Sequence, residues 1–151
     1  MFRQNSLTRG QVKQIAKNGD PLGVKTEALF ENVVKEQGGK VLSGGKYGSN
    51  NGYDHVIIFK DAQGNTNLTM VVDSKQLGQK GIKLDPKAAG GNMQMSSEWD
   101  RAVLAKLDPN SEAYKAVFAA RQNGTLVKGA AYVDKSAEKL MLVRIDPATK
   151  K

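Results

Sequence analysis

Residues 53–75 read YDHVIIFKDAQGNTNLTMVVDSK, and this stretch decides the fold. Residues 53–60 are rich in β-formers, 61–65 (DAQGN) have turn composition, and the chain returns through a second β-forming run to residue 76, so a hairpin is predicted. Side chains alternate faces along a strand, which puts Asp73 and Lys75 on one face. If the loop is Ala62-Gln63-Gly64-Asn65, Asp61 pairs with Thr66, and counting outward sets Asp54 opposite Asp73. Directly opposed like charges destabilise a sheet. Two facing carboxylates at the end of the apolar runs Val56-Ile57-Ile58-Phe59 and Met70-Val71-Val72 call for a compensating cation, either Lys75 or a divalent metal.

Outward from the hairpin the chain alternates helices and strands. Residues 25–37 have Leu29, Phe30, Val33 and Val34 at helical spacing, stopped by Gly38-Gly39, and Val41-Leu42 begins a strand. Residues 43–52 read as a loop rich in glycine, serine and asparagine, and 77–93 as a long loop containing glycine and lysine. Residues 94–107 predict a helix, Asp108-Pro109-Asn110 breaks it, and Ser111 caps another that runs to about Gln122. Residues 125–133 and 139–145 form a terminal hairpin. The expected architecture is α/β: a central mixed sheet built on a β-meander, flanked by helices, with a C-terminal hairpin. Residues 1–20 read as a polar N-terminal segment with a short helix at 10–17, and residues 21–151 as one domain.

Composition narrows the chemistry. The 151 residues include no cysteine, which excludes disulfides, thiolate nucleophiles and cysteine zinc sites. The single histidine, His55, excludes any mechanism needing a histidine pair. Catalysis would rest on carboxylates, lysine, hydroxyls or a metal. No apolar run is long enough to span a membrane, and the first residues lead into a polar stretch rather than a signal peptide. The net charge of +8 favours a polyanionic partner. Residues 1–50 carry a net +4 and residues 101–151 a net +5, while residues 51–100 carry −1. A carboxylate metal site inside a phosphate-binding cleft would have this distribution.

In the helix at 25–37, Glu27 shares a line with Phe30 and Val34, so an acid borders the apolar stripe; Glu31, one turn on, is its rival. Only oxygen ligands are obvious, which suits Mg²⁺ or Mn²⁺; Zn²⁺ would need His55, whose side chain should point away from the Asp54 face. Trp99 falls at a core position of its helix. Lys80, Lys83 and Lys87 follow the site in the long loop, where they could track phosphates.

The ordered set Glu27, then Asn51-Gly52-Tyr53-Asp54, then Val71-Val72-Asp73-Ser74-Lys75 resembles the PD-(D/E)XK, restriction-endonuclease-like nuclease superfamily, across about residues 22–107. Tyr53 stands where that motif has proline, and Glu27, eleven residues before Gly38, has the spacing of the family's first helix acid. The resemblance implies a metal-dependent phosphodiesterase with Glu27, Asp54 and Asp73 as ligands, Lys75 as the catalytic lysine and Gln94 orienting substrate or water. The stretches NGYDHV, VVDSKQ and GGNMQMSSEW are further similar to the C-terminal nuclease domains of polymorphic toxins, including contact-dependent growth inhibition toxins. That implies a domain exported on a larger toxin, active in the cytoplasm of a neighbouring bacterium and neutralised by an acidic immunity protein. DNA is the expected substrate, with tRNA the alternative. A non-catalytic nucleic-acid-binding module is the reading from another class.

Overall fold

The alternation that sends neighbouring side chains of β4 (His55–Lys60) and β5 (Thr66–Ser74) to opposite faces buries both of them. A strand covered on both sides reads as an unbroken apolar run, which explains HVIIF and MVV. A computed structural model describes residues 6–18, 24–48, 51–75, 87–134 and 136–145 of the chain. Its sheet has the order β1-β4-β5-β6-β7, where β1 is Lys40–Leu42, β6 is Leu126–Asp134 and β7 is Lys139–Arg144. All pairings are antiparallel except β5 with β6. A parallel pair needs a long crossover, and α3 (Ser97–Leu104) and α4 (Glu112–Asn123) lie within it.

Two helical layers sandwich this mixed sheet. On one face, Ile57, Met70 and Val72 pack with Val12 and Ile15 of α1 (Ser6–Asn18) and with Leu29, Phe30, Val33 and Val34 of α2 (Val24–Glu36). On the other, Val56, Ile58 and Val71 meet Met95, Trp99, Val103 and Leu104 from α3 and its approach, with Val117 of α4. The N-terminal segment is thus not merely polar. Val12 and Ile15, three apart, give α1 a narrow buried stripe that seats it on the core. Ser96 and Ser111 accept the amides of Trp99 and Tyr114 as N-caps, and Gly124, at φ 69°, ends α4 in the left-handed conformation.

The hairpin turn differs from the four-residue loop. The Asp61 amide donates to the Asn65 carbonyl at 2.8 Å and Gly64 N to Asp61 O at 3.0 Å, leaving three loop residues with Gly64 at φ 83°. The extra residue sits in a bulge instead. Lys60 pairs with Thr66 but Phe59 with Leu68, so Asn67 is skipped. Beyond the bulge the register is the expected one, with His55 opposite Val72 and Val56 opposite Val71.

The glycine-rich stretch expected as loop also contains structure. β2 (Lys46–Tyr47) and β3 (Asn51–Gly52) form a separate two-stranded ribbon. Gly52 is required there: its φ is 99°, and a Cβ at this position would lie 2.5 Å from the Gly45 carbonyl oxygen. The ribbon's end is tied down by Tyr53 N donating to Gly45 O at 2.8 Å.

Candidate functional site

Asp73 lies one residue from the end of β5 and is buried, with Lys75 just past the strand on the same face. The Lys75 ammonium stands 2.6 Å from Asp73 Oδ2. Gln94, from the turn that leads into α3, closes a ring with both. Its Nε2 donates to Asp73 Oδ2 at 2.9 Å and its Oε1 accepts from Lys75 Nζ at 2.9 Å. Asp54 occupies the bend before β4, where its Oδ2 accepts the Ser74 amide at 3.0 Å. The two aspartates also hydrogen-bond to each other through their side chains.

This closeness splits their acidities. Burial, followed by the hydrogen bond and charge of Asp73, pushes the Asp54 carboxyl up to about 8. Burial would raise Asp73 too, but hydrogen bonds with Asp54, Lys75 and Gln94 and the Lys75 charge outweigh it, holding Asp73 below the usual range. The pair therefore keeps one proton near neutral pH, on the Asp54 side.

Glu27 enters through a residue that the sequence did not single out. Lys46, on the β2 ribbon, reaches Glu27 Oε1 at 3.5 Å and Asp54 Oδ1 at 3.9 Å. A cleft of about 320 Å³ lies beside them, lined by Glu27, Glu31, Lys46, Tyr53 and Asp54 among others. Glu31 shares the cleft but is engaged differently, with Oε2 2.9 Å from His55 Nδ1. The His55 Nε2 meets Ser74 Oγ at 2.6 Å, and the ring packs 4.9 Å from that of Phe30. His55 thus lies on the α2 face, with both ring nitrogens occupied, and burial lowers its pKa. Trp99 is buried, edge-on to Tyr53 at 5.2 Å. Lys80 and Lys83 fall outside the described residues, and Lys87 is exposed.

Among the described residues, no group of three or more His, Asp and Glu side chains is arranged to hold a metal ion. What the arrangement offers is the coupled carboxyls of Asp54 and Asp73, with Asp54 facing the cleft and joined through the Lys46 ammonium to a third acid, Glu27. That is an oxygen-only set with negative charge to spare once Asp54 loses its proton. Two other features were missed. Tyr114 and Phe118 stack at 5.7 Å on α4 with Phe118 exposed, a pair visible as aromatics at i and i+4. A buried Asp100–Lys128 ion pair lies beneath the site, and its signal was an acid on the helical line of Val103, Leu104 and Leu107.

No family model, no characterised protein and no solved structure matches this chain.

Proposed function

We propose that the chain is a metal-dependent nuclease with a restriction-endonuclease-like core, cutting phosphodiester bonds at the Asp54–Asp73–Lys75 centre. The observation that carries this reading is the ring of Asp73, Lys75 and Gln94 set against the Asp54 carboxyl. Glu27, Asp54 and Asp73 would hold the cation. With His55 occupied on both nitrogens, the remaining oxygen donors favour Mg²⁺ or Mn²⁺ over Zn²⁺. When bound, such an ion activates water and offsets charge developing on the phosphate. The chain's own residues supply the rest. Lys75, held by Asp73 and Gln94, presents its ammonium to the attacking water and to the developing charge. Gln94 fixes the direction of that ammonium. Lys46 lies across the cleft as a second cation for a phosphate.

DNA is the substrate favoured by this reading. tRNA is the second, supported by Phe118, exposed on the Tyr114–Phe118 stack, whose outer face can take an unpaired base. The wider setting we propose is export on a larger toxin, action in the cytoplasm of a neighbouring bacterium and neutralisation by an acidic immunity protein. The net charge of +8 and the outer edge of β7 give that partner an electrostatic and a strand-pairing handle. No helix of the described residues is long and apolar enough to cross a membrane.

The test is incubation of the purified protein with plasmid DNA and with total tRNA, each with Mg²⁺, Mn²⁺ or Zn²⁺. Cleavage that needs the metal and disappears in Asp73→Ala is the expected result. Cleavage persisting in excess chelator sinks the metal mechanism. A folded Asp73→Ala variant that still cuts sinks the assignment of the centre.

A further inference from the structure

Beneath the candidate centre, on the α3 and α4 side of the sheet, Asp100 is 1 % exposed and its partner Lys128, on β6, has a side chain 15 % exposed. Their closest atoms, Lys128 Nζ and Asp100 Oδ2, are 2.5 Å apart. Each also holds one further group. Asp100 Oδ1 accepts from the Tyr53 hydroxyl at 3.3 Å, and Lys128 donates to the Met95 carbonyl at 2.7 Å. Tyr53 immediately precedes Asp54, and Met95 immediately follows Gln94.

The Met95 backbone needs holding. The turn closes with Ser96 N donating to Met93 O at 3.1 Å, and Met95 occupies its third position at φ 74°, where glycine is the usual residue. Methionine is sterically disfavoured there. Two things stabilise that conformation: the Met95 side chain, 1 % exposed among Tyr53, Val71 and Trp99, and the lysine on its carbonyl. This turn is what directs Gln94 at Asp73 and Lys75. A buried ion pair contributes little to stability beyond what apolar residues of similar volume would give. What apolar residues could not do is tether a hydroxyl on one side of the site and a carbonyl on the other.

We propose that the Asp100–Lys128 pair is a positioning device for the candidate centre, fixing Asp54 through Tyr53 and Gln94 through the Met95 carbonyl. Its consequence for catalysis rests on the nuclease reading above, but the placement of Gln94 does not. Burial raises the Asp100 carboxyl above the usual range even beside Lys128, so Asp100 can become neutral if the lysine is removed. That gives two usable variants: Asp100→Leu/Lys128→Met, which replaces the pair with apolar groups, and Lys128→Met, which frees only Met95.

The experiment compares both with the unmodified protein by thermal melting, by NMR of the Gln94 side-chain amide (identified by its loss in Gln94→Glu) and by metal-dependent cleavage. The expected result is a retained fold, Gln94 amide protons shifted to solvent-like positions and faster in exchange, and kcat lowered roughly tenfold to a hundredfold with KM unchanged. Recovery of activity in step with thermal stability in the double variant would show a structural role only and overturn the proposal. So would Gln94 amide signals at their original positions in either folded variant. If Gln94 shifts as expected while the unmodified protein cleaves nothing, positioning stands and the nuclease reading is what fails.

Discussion

Metal affinity is expected to depend on pH through Asp54. Its carboxyl titrates near 8 because burial and then the neighbouring Asp73 disfavour its charge, whereas Asp73 is held ionised by Lys75 and Gln94. A divalent ion bound by both carboxylates must displace the Asp54 proton. Well below pH 8 each binding event releases one proton and affinity falls about tenfold per pH unit; because half of Asp54 is already ionised at pH 8, the loss between pH 8 and pH 6 is about 50-fold. That is about 2.3 kcal/mol. Asp73 stays ionised throughout this window and adds nothing to the slope.

Isothermal titration with Mn²⁺ in two buffers of different ionisation enthalpy counts the protons directly. The count should be near one at pH 6.5 and near one half at pH 8. In Asp54→Asn, whatever affinity remains should lose this dependence. A proton count near zero at pH 6.5, or an affinity that is flat from pH 6 to pH 8 in folded protein, would refute the shared-proton reasoning, because neither is compatible with a neutral Asp54 in the ion-free site.

Three further outcomes are expected. Asp54→Ala, Asp73→Ala and Lys75→Ala should each lower metal-dependent cleavage by about a thousandfold or more in a plasmid relaxation assay, with circular dichroism unchanged. Without metal, Asp54→Asn should stabilise the protein by about 1–3 kcal/mol at pH 7.5. A carboxyl whose folded pKa lies above its unfolded value loses stability as pH rises from about 4 towards 8, and asparagine mimics the protonated form. The melting temperature of the parent protein should therefore fall across that window, and that of the variant should fall less, because the Asp100 contribution remains without that of Asp54. Gly52→Ala meets the Gly45 carbonyl and a φ of 99°, and should cost about 2 kcal/mol or more while moving Lys46, measured by denaturant titration.

The parts of this molecule legible in its sequence are those set by short-range periodicity. Alternation alone puts Asp73 and Lys75 on one face, and the spacing of Leu29, Phe30, Val33 and Val34 predicts how α2 packs. The position of Asp54 was legible for a subtler reason. The residue count from Phe59 to Leu68 is the same whether the extra residue sits in the turn or in a bulge. Lys46 was not legible, because strands of two residues among glycines carry no periodic signal. Asp100 was partly legible as an acid in an apolar stripe. Its partner, 28 positions away on a strand reached by a parallel crossover, was not.

Charge explains why the site carries two lysines rather than the one its motif shows. With a proton on Asp54, Glu27 and Asp73 contribute two negative charges, and Lys46 and Lys75 balance them. Leaving aside Glu31, which His55 engages on the other side, this ion-free set of Glu27, Asp54, Asp73, Lys46 and Lys75 is close to neutral, which keeps like-charge repulsion from splaying two carboxyls that face each other across the sheet. A divalent cation that expels the proton leaves three carboxylates against four positive charges. That set then carries one net positive charge, which attracts a phosphodiester more strongly once the metal is bound. On this count Lys46→Met should weaken nucleic-acid binding more in the presence of Mn²⁺ than in its absence, and should tighten Mn²⁺ itself, since the ammonium competes for Glu27 and Asp54. Fluorescence anisotropy with a labelled, cleavage-resistant phosphorothioate oligonucleotide, which leaves Asp73 and Lys46 in place, and isothermal titration with Mn²⁺ separate the two effects. Weakened Mn²⁺ binding in Lys46→Met would show that the lysine supports the metal rather than competing with it, and would remove the charge argument.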